Sequence, residues 1–314
     1  MEYFFGTRLF WLSAGMASAQ TSGPCGDGLT YAITGTAPNL TLTISKTGTG
    51  TVAMTDYTTG TAPWYGQRAN IKTLVINSGV TSISNNAFSN CIGLTTINIA
   101  VISIGDFAFN SCSNITGTLT IPNSVTTIGR YVFQGCSGLT TVTIPASVTS
   151  IGEKAFYICS DLTAINVDAG NPNYSSDSGV LFNKGKTTLI LYPRQKTGTF
   201  YTIPNSVILI EPYAFEGCKS LTSITIPNSV TTIRNYAFWG CINLKSVTIS
   251  SSVTTIGDWA FDYCNALTSV TNLRATPQVI NANVFSNYTN ATLSVSSSAA
   301  VAAYSAATAR LERF

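Results

Sequence analysis

Histidine is absent from all 314 residues. With it go the Ser-His-Asp triad, histidine general bases and histidine metal ligands. Charge is nearly as scarce, because Asp, Glu, Lys and Arg together make up 9 % of the chain against a norm of about 25 %. A net charge of +3, with no basic run, gives none of the electrostatic footprint of a nucleic-acid-binding protein. No apolar stretch reaches the roughly 18–20 residues that a membrane-spanning helix needs. The thirteen carboxylates stand singly and no Gly-x-Ser-x-Gly elbow occurs. Gly179 and Gly185-Lys186-Thr187 imitate a phosphate-binding loop, but five residues separate the glycines where that motif has four, and no strand-to-helix context surrounds them. These absences lead us to expect no catalytic residues, no cofactor and no metal.

The first residues of the chain point outward from the cell. Arg8 precedes Leu9-Phe10-Trp11-Leu12, which runs into Ala17-Ser18-Ala19, so residues 1–19 read as an export signal cleaved after Ala19. The alternative for this segment is a buried N-terminal strand or helix.

What the chain has in abundance is repetition. An Ala-Phe or Val-Phe dipeptide recurs with its phenylalanine at 88, 109, 133, 156, 215, 238, 261 and 285, at spacings of 21, 24, 23, 59, 23, 23 and 24. A cysteine follows three residues after seven of these eight. Within a unit, Leu-x-x-Ile-x-Ile alternates apolar and hydroxyl residues as a short half-buried strand does. Proline then ends it, at 122, 145, 204 and 227, having no N–H for a ladder. A second short extended piece, Val-Thr-x-Ile, leads to Gly-x-x-Ala-Phe-x-x-Cys, where we expect about one tight helical turn. One such unit cannot bury its own apolar residues, whereas stacked units can, each position covering its own copy. The expected architecture is a β-rich repeat solenoid with a parallel strand ladder and short helical turns on the opposite side.

Seven cysteines in one phase of the repeat form a column with parallel side chains, which disfavours the disulfide dihedral. We expect buried thiols filling a small apolar slot, with Cys25 outside the column.

The pattern Leu-Thr-x-Ile-x-Ile-Pro-x-Ser-Val-Thr-x-Ile-Gly-x-x-Ala-Phe-x-x-Cys resembles the BspA-like leucine-rich repeats of mostly bacterial secreted and surface proteins, over roughly residues 25 to 314. Cys25-Gly-Asp-Gly-Leu29-Thr-Tyr31 and Ala62-Pro-Trp64 are similar to that family's N-terminal cap, and Leu293-Ser-Val295 with Val301-Ala-Ala-Tyr304 to its closing cap. The layout this suggests is a signal at 1–19, a β-rich cap at 20–70, a leucine-rich-repeat solenoid at 71–292 and a C-terminal cap at 293–314. The resemblance implies a secreted or cell-surface module for adhesion and protein recognition, without catalysis; we expect a monomer that binds a protein or a cell-surface glycan.

The spacing of 59 equals two units of 23 plus 13 extra residues, which places a variant unit at 168–203. Two apolar runs there, Val180–Phe182 and 188–192, flank an Asn-Lys-Gly-Lys turn and read as a β-hairpin. Lys184, Lys186, Arg194 and Lys196 either dock an acidic partner or are simply solvated on a coil that continues the stack.

Two faces are candidates for binding. The strand face presents hydroxyl columns, such as Thr140, Thr141 and Thr143, that suit a glycan or ice surface, or that merely reflect threonine's fitness for strands. The other face flanks each Ala-Phe and carries Phe107, Arg130, Tyr131, Tyr157, Tyr213, Arg234, Tyr236, Trp239, Asp258 and Trp259. Aromatics and arginine are the residues that dominate binding hot spots. The plainer alternative is that these rings only pack on one another between coils.

Overall fold

A computed structural model describes residues 21–276, 283–285 and 292–295. The expected export signal and most of the expected closing cap lie outside the described residues. The alternation of apolar and hydroxyl residues becomes a front ladder of parallel strands. Leu139–Ile144 pairs with Gly117–Thr120 on one side and Ala164–Val167 on the other. Further along, Phe200–Thr202, Ser223–Ile226, Ser246–Ile249, Ser269–Asn272 and Thr292–Val295 continue in parallel. Register follows the repeat, so Ile224, Val247, Val270 and Leu293 lie in one row.

The second extended piece also pairs with its own copies. Val80–Ile83, Ser103–Ile104, Thr127–Ile128 and Ser150–Ile151 form a side ladder, so each coil carries two parallel ladders where the sequence suggested one. The expected helical turns are instead hydrogen-bonded turns. Among the described residues the sole helical element is a 3-10 turn at Tyr65–Gln67. The cause is local: the residue before each Ala-Phe sits at positive φ, +57° at Phe107 and +55° at Tyr131, which interrupts any right-handed run. The turn's N–H groups then bond between coils, as Phe133 N–H donates to the Ala155 carbonyl at 2.8 Å.

Behind the turns the phenylalanines stack. Phe88, Phe109, Phe133 and Phe156 have successive ring centroids 5.4, 5.5 and 5.8 Å apart, and Phe215, Phe238, Phe261 and Phe285 follow at 4.7, 4.9 and 5.1 Å. These values are close to the distance between adjacent strands. Phe88 through Phe261 are almost fully buried, each contributing roughly 1.5–3 kcal/mol of hydrophobic stabilisation. The seven cysteines of the column are free, buried thiols as expected, and five of them share a task. Cys112, Cys136, Cys159, Cys241 and Cys264 donate Sγ–H to the carbonyl of the preceding coil's inner phenylalanine at 3.0–3.2 Å. A residue small enough for the slot and able to donate weakly suits that position. The coils approach so closely that a Cβ on Gly129 would lie 2.6 Å from the Gly105 carbonyl carbon.

The N-terminal end is closed differently. Ser22–Gly26, Leu29–Thr36 and Asn39–Lys46 form an antiparallel meander whose last strand pairs in parallel with Ile71–Ile76. Trp64 stacks on Phe88 at 5.4 Å, and its indole N–H donates to the Ala87 carbonyl at 2.8 Å. One side chain thus supplies both the ring and the N–H that a further coil would have brought.

One coil departs from the pattern. Tyr174–Asp177, Val180–Asn183 and Thr188–Leu191 form an antiparallel meander, one strand more than the expected hairpin. Its last strand rejoins the side ladder, with Leu189 opposite Ile210. In regular coils the last isoleucine of the side strand precedes the inner ring by five residues, as in Ile210 and Phe215. Here Leu189 precedes Tyr192 by three. Tyr192 nonetheless occupies the ring column, stacking on Phe215 at 5.0 Å and donating its N–H to the Ala214 carbonyl. The two missing residues belong to the turn before the ring, so this coil adds nothing to the outer column described next.

Candidate functional site

The turn residue with positive φ recurs coil after coil: Asn86, Phe107, Tyr131, Lys154, Tyr213, Tyr236 and Trp259, all between +54° and +61°. Carbonyl and Cβ crowding makes that conformation unfavourable for a bulky side chain, by roughly 1–2 kcal/mol each. It also turns the side chain away from the core, where the half-buried rings form an outer strip parallel to the inner phenylalanine column. Phe107 stacks on Tyr131 at 4.8 Å with planes 6° apart. Tyr213 stacks on Tyr236 at 4.8 Å and Tyr236 on Trp259 at 5.0 Å, at 8° and 10°.

Lys154 joins the two runs of rings. Its ammonium lies 4.1 Å from the Tyr213 ring centroid, 5.3 Å from that of Tyr131 and 5.7 Å from that of Tyr157. It also donates to the Tyr131 hydroxyl at 3.2 Å. Burial pulls the ammonium's pKa down, but the bonds to tyrosine hydroxyls outweigh this and hold it above the usual lysine value. Because the short coil has no residue here, Lys154 and Tyr213 become neighbours in the strip although 59 residues separate them in the chain.

The ten residues singled out from sequence therefore divide. Phe107, Tyr131, Tyr213, Tyr236 and Trp259 come together in the strip. Tyr157 and Trp239 stand one column aside, Tyr157 edge-on to Tyr213 at 5.3 Å and Trp239 edge-on to Tyr263 at 5.3 Å. Arg130 and Arg234 flank the strip as members of ion pairs, with Asp106 at 2.9 Å and Glu211 at 3.6 Å. Asp258 is tied in through its backbone, its N–H donating to Asn235 Oδ1 at 3.1 Å and its carbonyl accepting from Tyr236. Stacking between coils and presentation at the surface are thus the same arrangement, and the two readings of this face are not exclusive. Lys154 is the non-aromatic member of this run of rings, and its place in the repeat, immediately before Ala155-Phe156, puts it on the same face.

On the strand face, one of the hydroxyl columns is engaged within the fold. Hydroxyls of Thr163, Thr222 and Thr268 donate to backbone carbonyls one coil back, at 2.8, 3.1 and 3.3 Å. The variant coil's cations are engaged too. Lys184 donates to the Ala169 carbonyl, Lys186 pairs with Asp177 at 2.7 Å, Arg194 pairs with Glu216 at 3.2 Å, and Lys196 donates to the Ser178 carbonyl. Among the described residues no three His, Cys, Asp or Glu side chains gather as a metal site would require, and no helix is long and apolar enough to cross a membrane.

Comparison with known proteins agrees with this geometry. A leucine-rich repeat protein from Eubacterium ventriosum is 32 % identical, with a TM-score of 0.73 over 89 % of this chain and 79 % of its own. A leucine rich cell surface protein from Faecalibacterium prausnitzii is 25 % identical, with a TM-score of 0.55 over 87 % of this chain and 95 % of its own. The pneumococcal vaccine antigen PcpA shares the fold at 18 % identity and a TM-score of 0.55, over 90 % of this chain and 95 % of its own. No curated protein matches the chain. Six copies of the BspA type leucine rich repeat region match residues 64–178 and 195–306, and a chain whose coils, turns and cysteine column repeat in that phase belongs to the BspA-type leucine-rich-repeat family.

Proposed function

We propose that the protein is a secreted or surface-associated recognition and adhesion module, acting without catalysis, and that the outer strip from Phe107 to Trp259 is its contact face. One observation carries this reading. At a backbone position that favours glycine or asparagine, as Asn86 illustrates, five coils carry a large aromatic ring instead. The fold alone gains little from that choice, since the stacking of about 0.5–1.5 kcal/mol per pair roughly offsets the backbone strain. What the choice yields is a rigid, half-exposed aromatic surface flanked by arginine, the composition of a binding hot spot. The cell-surface character of the Faecalibacterium relative supports the placement outside the cell.

The test is a binding array of extracellular-matrix proteins and glycans, run with the wild type and with a Tyr236→Asn, Trp259→Asn double variant. We expect binding to a protein to fall by at least about tenfold while thermal unfolding stays where it was. Retained binding in the double variant would remove the strip and return attention to the hydroxyl columns, where a glycan or ice-like surface is the partner.

A further inference from the structure

Two residues missing from the short coil leave a gap in the wall. The strip residues on either side, Lys154 and Tyr213, close over it, and behind them lies a cavity of about 60 Å³. A single buried water needs roughly 10–15 Å³ on the same measure, so the space suits a group of about four to five heavy atoms. Its floor is apolar, formed by Phe156, Leu162, Leu181 and Leu191, and Tyr157 stands at the rim.

The polar groups at the cavity are already matched in charge. Lys154 faces Glu153 at 3.6 Å, and Arg194 faces Glu216 at 3.2 Å. Glu216 is almost wholly buried, and burial pushes its carboxyl above the usual range despite the nearby guanidinium. A charged occupant would bring an uncompensated charge against these pairs. Arg194 Nε is buried without a hydrogen-bond partner and without exposed surface, so it offers no donor to an occupant. The guanidinium that carries it lies flat against Gly217, at φ +63°, where any Cβ would collide with it.

We propose that the gap at the short coil is a socket for one uncharged aliphatic side chain of a polypeptide partner. Volume and floor select a leucine- or isoleucine-sized group, and the paired charges exclude an acidic or basic one. The idea rests on the recognition role proposed above and adds an anchor point that the strip lacks.

The probe is N-acetyl-leucine-N-methylamide, titrated against the whole chain while the Tyr157 and Tyr213 ring resonances are followed by NMR. Saturable shifts with a dissociation constant on the order of millimolar are expected, at least about tenfold weaker for the alanine analogue. Ile190→Trp, which fills the half-exposed wall, should abolish the shifts; Tyr157→Ala, which opens the rim without touching the floor, should weaken them. The Tyr236→Asn, Trp259→Asn variant should bind the probe as the wild type does, so loss of the strip and loss of the socket read out separately. Equal shifts from the leucine and alanine compounds, or full binding by both Ile190→Trp and Tyr157→Ala, would overturn the socket and leave the strip untouched.

Discussion

Regular coils and the short coil solve the same problem by different means. In a regular coil, such as the one carrying Leu139–Ile144, backbone meets backbone: strand registers run one-to-one, and turn N–H groups donate to carbonyls of the next coil. At the short coil the adjacent backbone is out of phase and side chains take over. The Ile151 N–H donates to the Tyr174 hydroxyl at 2.9 Å, and the Val167 N–H to Ser176 Oγ at 3.0 Å. Asn171, fully buried, donates from Nδ2 to the carbonyls of Pro145 and Val148 and accepts at Oδ1 from the N–H groups of Asn173 and Tyr174. A solenoid tolerates one irregular coil when side chains satisfy the backbone groups that the mismatch strands.

That contrast can be attacked at several points. The collective effect of the thiol column, which the short coil does not share, is the largest. Burial raises the thiols of Cys91 and Cys159 to about 12, and those of Cys112, Cys136 and Cys241 well above their ordinary value near 9. A folded pKa above the unfolded one means stability that is whole below pH 9 and drains away as pH climbs from 9 towards 12. Circular dichroism should show unfolding in that window, and iodoacetamide should leave the column unlabelled at pH 8 until denaturant is added. Rapid native labelling would break the account of the column.

Next in size, Phe133→Ala empties the middle of the inner column and should lower stability by about 3–5 kcal/mol in denaturant titrations. Asn171→Ala should follow at about 2–3 kcal/mol, because it strands buried backbone groups. Asn243, which makes one exposed bond of 2.8 Å to the Lys219 carbonyl in a regular coil, should lose less than about 1 kcal/mol on the same change. Equal effects at 171 and 243 would erase the distinction between the two kinds of coil. Smallest of all, Tyr236→Asn should shift stability by less than about 1 kcal/mol, since lost stacking is offset by relief of the left-handed backbone. A large loss there would make the strip a structural device rather than a surface.

Much of this was legible beforehand. The alternation in Leu139–Ile144 marked a strand, the phase of Cys112 and Cys136 marked a buried column, and the phenylalanines announced a stack. The side ladder was harder to read, because two-residue strands such as Thr127–Ile128 are too short for a period to show. Ala-Phe-x-x-Cys has helical spacing and so reads as a helical turn, while the positive φ at Phe107 or Tyr236 that prevents one leaves no trace in residue type. At the variant coil the apolar runs are visible and the meander's first strand, Tyr174–Asp177, is not, because Tyr-Ser-Ser-Asp carries a single apolar ring and no alternation.

The sequence by itself determined which positions face inward and in what phase the coils stack, because in a solenoid each coil meets the same neighbours as the one before it and a one-dimensional period encodes the contact. Only the tertiary structure decided where that period fails. The meeting of Lys154 with Tyr213, the burial of Glu216 against Arg194 and the gap between them follow from a coil two residues short. Such contacts join segments whose separation obeys no repeat, so only the folded register brings them together.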